Sequence, residues 1–191
     1  KEFQDAILAE GIRIYMPTTQ EWNTEQQQQL KEVSIEDLLP RDEISIDMES
    51  VGAMLHGKRI LITGSAGSIG SEMVRQIAKY SPAELILIDS AETPQHDIRL
   101  MMAKQFPDIK AETIVTTICS KSRMEHIFKT YLPDYVFHAA AYKHVPMMEN
   151  NPCESIQNNV YGTKILADLA VKYGVKKFVM ISTDKAVNPT N

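Results

Sequence analysis

An α/β fold organised on a doubly wound parallel sheet is what this sequence predicts, and two features carry the prediction. From Lys58 onward, apolar runs of strand length alternate with segments of ten or more residues whose apolar positions recur at helical spacing. Such alternation brings each strand back beside an earlier one through a right-handed helical crossover, which makes the pairing parallel. The second feature is a glycine-rich turn, "TGSAGSIG", set between the first of these strands and the first of these helices.

Each element has its own signature, in chain order. "EFQDAILAEG" reads as a last helical turn capped by Gly11, and "IRIYM" as a strand stopped by Pro17. One helix and one strand cannot bury both their faces, so residues 1–16 are expected to be the tail of an upstream domain. Residues 17–32, polar and including "EQQQQ", read as linker. Short helices are expected over "SIEDLL", where Ser34 and Asp37 have capping-box spacing, and over "MESVGAML". The segment 17–56 is thus linker and short helices, and 57–191 is the main domain. Within it "KRILIT" is a buried strand. "SIGSEMVRQIAKY" follows as a helix with Ile69, Met73, Val74 and Ile77 on one face. "ELILID" is the next strand, and "TPQHDIRLMMAKQF" a helix with Pro94 in its first turn. "AETIVTT", "SRMEHIFKTYL" and "DYVFHAAA" continue the pattern. One long helix is expected over 151–174, from Pro152 near its start to Gly174 past its end, and then the fifth strand, "KKFVMIS".

Composition excludes several classes. The chain has 191 residues, 43% hydrophobic and 24% charged, with net charge -5, the balance of a globular domain without a basic footprint for nucleic acid. No apolar run reaches membrane-spanning length, and "KEFQDAILAEGIRIYMP" is not a signal peptide. The chain opens on Lys1 rather than Met, as expected of a piece of a longer protein. Cys119 and Cys153 read as reduced thiols, and no histidine has ligand spacing, so no metal site is expected.

The turn carries the chemistry. Gly64 permits a tight bend, Gly67 lets backbone N–H groups approach a pyrophosphate, and Gly70 lets the helix pack on its strand. Ser68 and Ile69 stand in the same turn. The spacing is GxxGxxG rather than GxGxxG, but its place between strand and helix marks a Rossmann-like dinucleotide site. Asp89 ends the second strand, followed by Ser90; a carboxylate there accepts ribose hydroxyls and repels a 2′-phosphate, which favours NAD over NADP. Asp89 also fits a turn or N-cap position. The small residues Ala139, Ala140 and Ala141 let a cofactor lie against backbone, and Lys143 offers a cation for a phosphate or hydroxyl.

"TGSAGSIG", "HAAAYKHVPMMENNP", "NNVYGTK" and "ISTDKAVNPTN" together resemble the extended short-chain dehydrogenase/reductases. Within them the match is to the UDP-N-acetylglucosamine 4,6-dehydratase branch, the capsular polysaccharide biosynthesis proteins, over residues 33–191. The resemblance implies NAD as cofactor, with Ser182 joining its site, and a UDP-sugar substrate met by Lys143, Asn159 and Asn188. It further implies a homo-oligomer and, because the long members are anchored in the bacterial inner membrane, a cytoplasmic domain of such a parent. Three departures stand out. Thr117 replaces an Asp after the third strand, and Pro94 and Gln95 replace a polar and aromatic pair. No downstream YxxxK or MxxxK element is present; the match Tyr173 to Lys177 falls on the side away from the cofactor. Residues 1–191 alone are therefore expected to bind NAD weakly and to be inactive.

The reaction the resemblance implies moves hydride from sugar C4 to NAD, removes water across C5 and C6, and returns hydride to C6. Elimination needs an acid for the departing C6 hydroxyl and a base for the C5 proton. By the family motif Thr183 holds the C4 oxygen, Asp184 is the acid and Lys185 the base; glucose-nucleotide dehydratases carry Glu at the position of Lys185. A sugar 4-epimerase or reductase of the same fold, or a non-catalytic NAD-binding regulatory module, remains the alternative, since fold alone does not fix function.

Overall fold

The computed structural model describes residues 47–182 and the backbone of two short strands, Tyr15–Pro17 (β1) and Leu30–Glu32 (β2). The two strands pair antiparallel, Tyr15 opposite Glu32 and Pro17 opposite Leu30. β2 thus falls in a stretch that reads as linker from its polarity. Pro17 is the last residue of β1, an end position where a missing N–H is tolerated. The chain divides into two compact units, Lys1–Ile46 and Asp47–Asn191.

The second unit opens with helix Met48–Leu55 (α1), whose first N–H groups, those of Glu49 and Ser50, are accepted by the Asp47 carboxylate at 3.1 and 3.0 Å. Then come Arg59–Thr63 (β3), Ser68–Ala78 (α2), Glu84–Asp89 (β4), Glu92–Gln105 (α3), Ala111–Val115 (β5), Lys121–Tyr131 (α4) and Tyr135–His138 (β6). Lys177–Met180 (β7) completes a five-stranded sheet in the order β5-β4-β3-β6-β7, with every pair parallel.

The sheet is doubly wound because its strands bury both faces. Side chains alternate across a strand, so Ile60, Ile62, Leu85 and Leu87 face one way, against Leu55, Val74, Ile77, Ile98 and Met102. Leu61, Ile86, Ile88 and Val136 face the other way, against Met124, Ile127, Phe128, Ile165, Leu166 and Leu169. Burial on both sides is why these strands read as unbroken apolar runs. Each such side chain contributes roughly 1.5–3 kcal/mol.

The strand order reverses at β3, whose neighbours β4 and β6 lead away in opposite directions, so a crevice opens at the carboxyl ends of β3 and β6. The opposite ends are tied by Asp134. Its carboxylate accepts the Arg59 N–H at 3.0 Å and Lys176 Nζ at 2.9 Å, while its own N–H donates to the Arg59 carbonyl at 2.8 Å. Burial opposes ionisation of this carboxyl, but the Arg59 N–H and Lys176 hold it below the usual carboxylate range. That stabilisation is present at neutral pH and is lost as pH falls through the lowered pKa. Asp134→Ala should cost about 1–3 kcal/mol in a urea melt, because it leaves the half-buried Arg59 N–H without its acceptor.

One expectation changes. The long helix over 151–174 is broken in character: Pro152–Ser155 (α6) passes into a π-helical stretch, Ile156–Gly162, and then into Thr163–Lys172 (α7). It is preceded by a short helix, Val145–Glu149 (α5), that the sequence pattern does not announce. The wide turn closes at Gly162, where a Cβ would come within 2.7 Å of the Ile118 side chain. β7 forms as expected, and among the described residues it is an edge strand with Met180 54% exposed.

Candidate functional site

Beyond β3 the chain bends at Gly64, whose φ of +70° lies in the left-handed region. A Cβ at Gly64 would stand 2.7–2.8 Å from the Ala139 and Ala140 backbone, so the bend and the segment after β6 touch backbone to backbone. A Cβ at Gly70 would lie 1.9 Å from the Gly64 carbonyl oxygen, which no side-chain movement relieves. Gly67 differs: its Cβ would meet only that same oxygen, at 3.3 Å, and the residue caps α2 with no side chain over the helix's first N–H groups. Space and donors for an anion are thus left together at Gly67. Ser68 and Ile69 lie in the exposed first turn of α2 and Gly70 is buried beneath it.

The bend is fastened to β4 from below. Ser65, fully buried, donates its N–H to the Ile88 carbonyl at 3.1 Å and its hydroxyl to Gln95 Oε1 at 2.8 Å; Gln95, 1% exposed, donates to the Leu87 carbonyl at 2.7 Å. Asp89 accepts the Ala66 N–H at 3.0 Å and the Ala91 N–H at 2.9 Å. Asp89 therefore serves as a turn residue while its carboxylate stays at the mouth of the crevice. Gly64, Gly67, Asp89 and Ser90 line one cleft with Ala139, Ala140 and Ala141. Thr116, Thr117 and Asn158 line it too. Thr117 is where the sequence departs from its resemblance, and Asn158 is signalled only by the "NN" dipeptide. The Ser65–Gln95 pair was also missed, because a buried amide on a helix shows in sequence as one more polar residue.

Lys143 is exposed beside an adjoining groove with Tyr142, Val145 and Met148. The Asn159 side-chain amide is engaged with backbone: Oδ1 accepts the Tyr142 N–H and Nδ2 donates to the Tyr142 carbonyl, both at 2.9 Å. Ser182 follows β7, next to Ile181, whose N–H donates to the His138 carbonyl at 2.9 Å. Thr183, Asp184, Lys185 and Asn188 lie outside the described residues. Among the described residues no three of His, Cys, Asp and Glu gather as a metal would require, and no helix is long and apolar enough to cross a membrane.

His138, at the end of β6, is 3% exposed and bonded on both nitrogens, Nδ1 to Thr63 Oγ1 at 2.7 Å and Nε2 to Thr163 Oγ1 at 2.8 Å. Thr163 donates its only hydroxyl proton to the Asn159 carbonyl at 2.7 Å, so Nε2 must carry the ring proton and Nδ1 must accept from Thr63. Burial lowers the His138 pKa from 6.5 to about 4, and the ring is neutral at physiological pH. Between those values the unfolded chain binds the proton and the folded one does not. Stability should therefore fall by about 3 kcal/mol from pH 6.5 to 4. Urea midpoints across this range check it, with His138→Phe expected to lack this part of the slope.

A glycine bend at the switch point of a parallel sheet, with a carboxylate closing the next strand, defines a Rossmann-type domain. The family model described as polysaccharide biosynthesis protein matches residues 60–191, and the chain belongs to that family. It is 45% identical over 163 residues to the capsular polysaccharide biosynthesis protein CapD of Staphylococcus aureus, covering 85% of this chain and 27% of the relative. It is 36% identical over 139 residues to a UDP-N-acetylglucosamine 4,6-dehydratase (inverting) of Campylobacter jejuni, covering 72% of this chain and 40% of that one. Among solved structures it resembles the UDP-glucose 4-epimerase of Thermus thermophilus in complex with NAD. There the TM-score is 0.54 at 26% identity, over 65% of this chain and 37% of that chain. The chain thus spans well under half the length of each.

Proposed function

We propose that this chain is the NAD-binding part of a UDP-N-acetylglucosamine 4,6-dehydratase, a hydro-lyase of bacterial polysaccharide biosynthesis. The observation that carries the reading is the bend at Gly64–Gly70, already shaped and fastened to β4, in a chain whose next segment after β7 reads Thr183-Asp184-Lys185. The fit to NAD is specific. Gly67 leaves room for a pyrophosphate over the first N–H groups of α2, Ala139 to Ala141 present backbone, and the Asp89 carboxylate at the end of β4 would accept ribose hydroxyls and repel a 2′-phosphate. The chemistry NAD supplies when bound is reversible hydride transfer with the sugar.

The remaining work falls to this chain's own groups. Thr183 holds the C4 oxygen, Asp184 gives a proton to the departing C6 hydroxyl, and Lys185 takes the C5 proton. Lys143 and Asn188 meet the UDP-sugar, and Asn159 acts by holding the loop that carries Lys143. We assign residues 1–16 to the end of a preceding domain and 17–46 to a connection, with α1 belonging to the NAD-binding unit that begins at Asp47. The parent is a homo-oligomer anchored in the inner membrane, with this domain on the cytoplasmic side. The relatives' names support the dehydratase, and the likeness to a 4-epimerase supports the second reading, a sugar epimerase without need of Asp184 and Lys185. The full-length protein incubated with UDP-N-acetylglucosamine should release a 4-keto-6-deoxy sugar nucleotide. A 4-epimer as sole product would establish the second reading instead.

A further inference from the structure

A path of hydrogen bonds runs from the glycine bend to the Lys143 loop, and backbone pairing in the sheet does not require it. It starts at Thr63, the fully buried residue before Gly64, passes through His138 to Thr163, and reaches the Asn159 carbonyl. From Asn159 it continues through the side-chain amide to both backbone polar atoms of Tyr142, the residue before Lys143. Asn158 adds a bond to Asn159 Oδ1 at 2.9 Å.

The π-helical stretch shapes one leg of the path. In an α-helix the Asn159 carbonyl would accept the Thr163 N–H. Here that N–H goes to Val160, and the Asn159 carbonyl accepts the Thr163 hydroxyl. The hydroxyl proton is thereby committed, and its oxygen is free to accept from His138 Nε2. Short π segments inside α-helices commonly mark functional sites, and this one aims the Asn159 amide across to the Tyr142 backbone.

We infer that His138 is a positioning residue: by bonding Thr63 with one nitrogen and Thr163 with the other, it fixes the wide helical turn so that Asn159 holds the Tyr142–Lys143 loop in register with the glycine bend. The two ends of the site then form one rigid unit. Which ligands meet those ends rests on the function proposed above; the link between them does not.

Amide hydrogen exchange followed by mass spectrometry on the ligand-free full-length protein at neutral pH tests the link apart from any activity. In His138→Phe the Tyr142 amide should exchange at least tenfold faster, while amides of Leu85 to Leu87 keep their wild-type rates. His138→Gln, whose amide reaches toward Thr163, should recover most of the protection. Thr163→Val cuts the same path from the other side and should match His138→Phe; it decides the matter if His138→Phe does not fold. Unchanged Tyr142 exchange in a folded variant would overturn the inference. So would an increase shared equally by the sheet amides, which is what a purely structural histidine would give. If the parent proves to be an epimerase, these outcomes keep their meaning.

Discussion

Gly70→Ala is expected to destabilise the domain by about 3 kcal/mol or more and to abolish NAD binding, its Cβ contact being the tightest at any described glycine. The added carbon would lie 1.9 Å from the Gly64 carbonyl oxygen, so the helix and the bend must part. Gly64→Ala should approach it, since φ of +70° costs an alanine about 1–2 kcal/mol before its contacts with the Ala139 and Ala140 backbone are counted. Gly67→Ala separates the two roles of the motif. Its 3.3 Å contact should cost within about 1 kcal/mol, yet the methyl stands where a pyrophosphate would approach. Thermal melts with NAD titrations on the three variants give the comparison. A Gly70→Ala protein that melts and binds NAD like its parent would refute the packing argument, and a Gly67→Ala protein with undiminished affinity would remove the pyrophosphate from that place.

The second large effect concerns Asp184 and Lys185. Under the proposed function, Asp184→Asn and Lys185→Gln should each slow release of the 4-keto-6-deoxy product by about 10²–10⁴-fold while leaving NAD affinity near wild type. The two should differ in isotope exchange. Solvent deuterium should still enter at C5 in Asp184→Asn, where the base is intact, and should fail to enter in Lys185→Gln. Losses under tenfold in both variants would mean the acid and base lie elsewhere in the parent.

The fold was legible where burial writes a period into the sequence. Ile60 to Ile62 and Leu85 to Ile88 are apolar without interruption because each strand is covered on both faces, and the glycines at 64, 67 and 70 mark the bend through backbone sterics alone. The passage from α6 into the π stretch was not legible, since one extra residue in a turn leaves the spacing of apolar residues nearly unchanged. The exposure of β7 follows from its edge position, and sheet order cannot be read from one strand's composition. The His138 path joins residues 75 and 25 apart, and Gln95 reaches Ser65 over 30. Such polar pairs exist only once the sheet has brought distant segments together, so each partner alone looked ordinary.

The position of β3 between β4 and β6 also sets a schedule for the chain as it is made. Thr63 must wait 75 residues for His138, a delay of about 4–15 s at 5–20 residues per second of synthesis. Once β4 has been made, and until β6 follows, Ile60 to Ile62 have β4 on one side and an open edge on the other, an aggregation-prone state for an apolar strand. The wall that closes the glycine bend therefore comes late, and any delay in translation between the two halves of the sheet keeps that apolar edge open for longer.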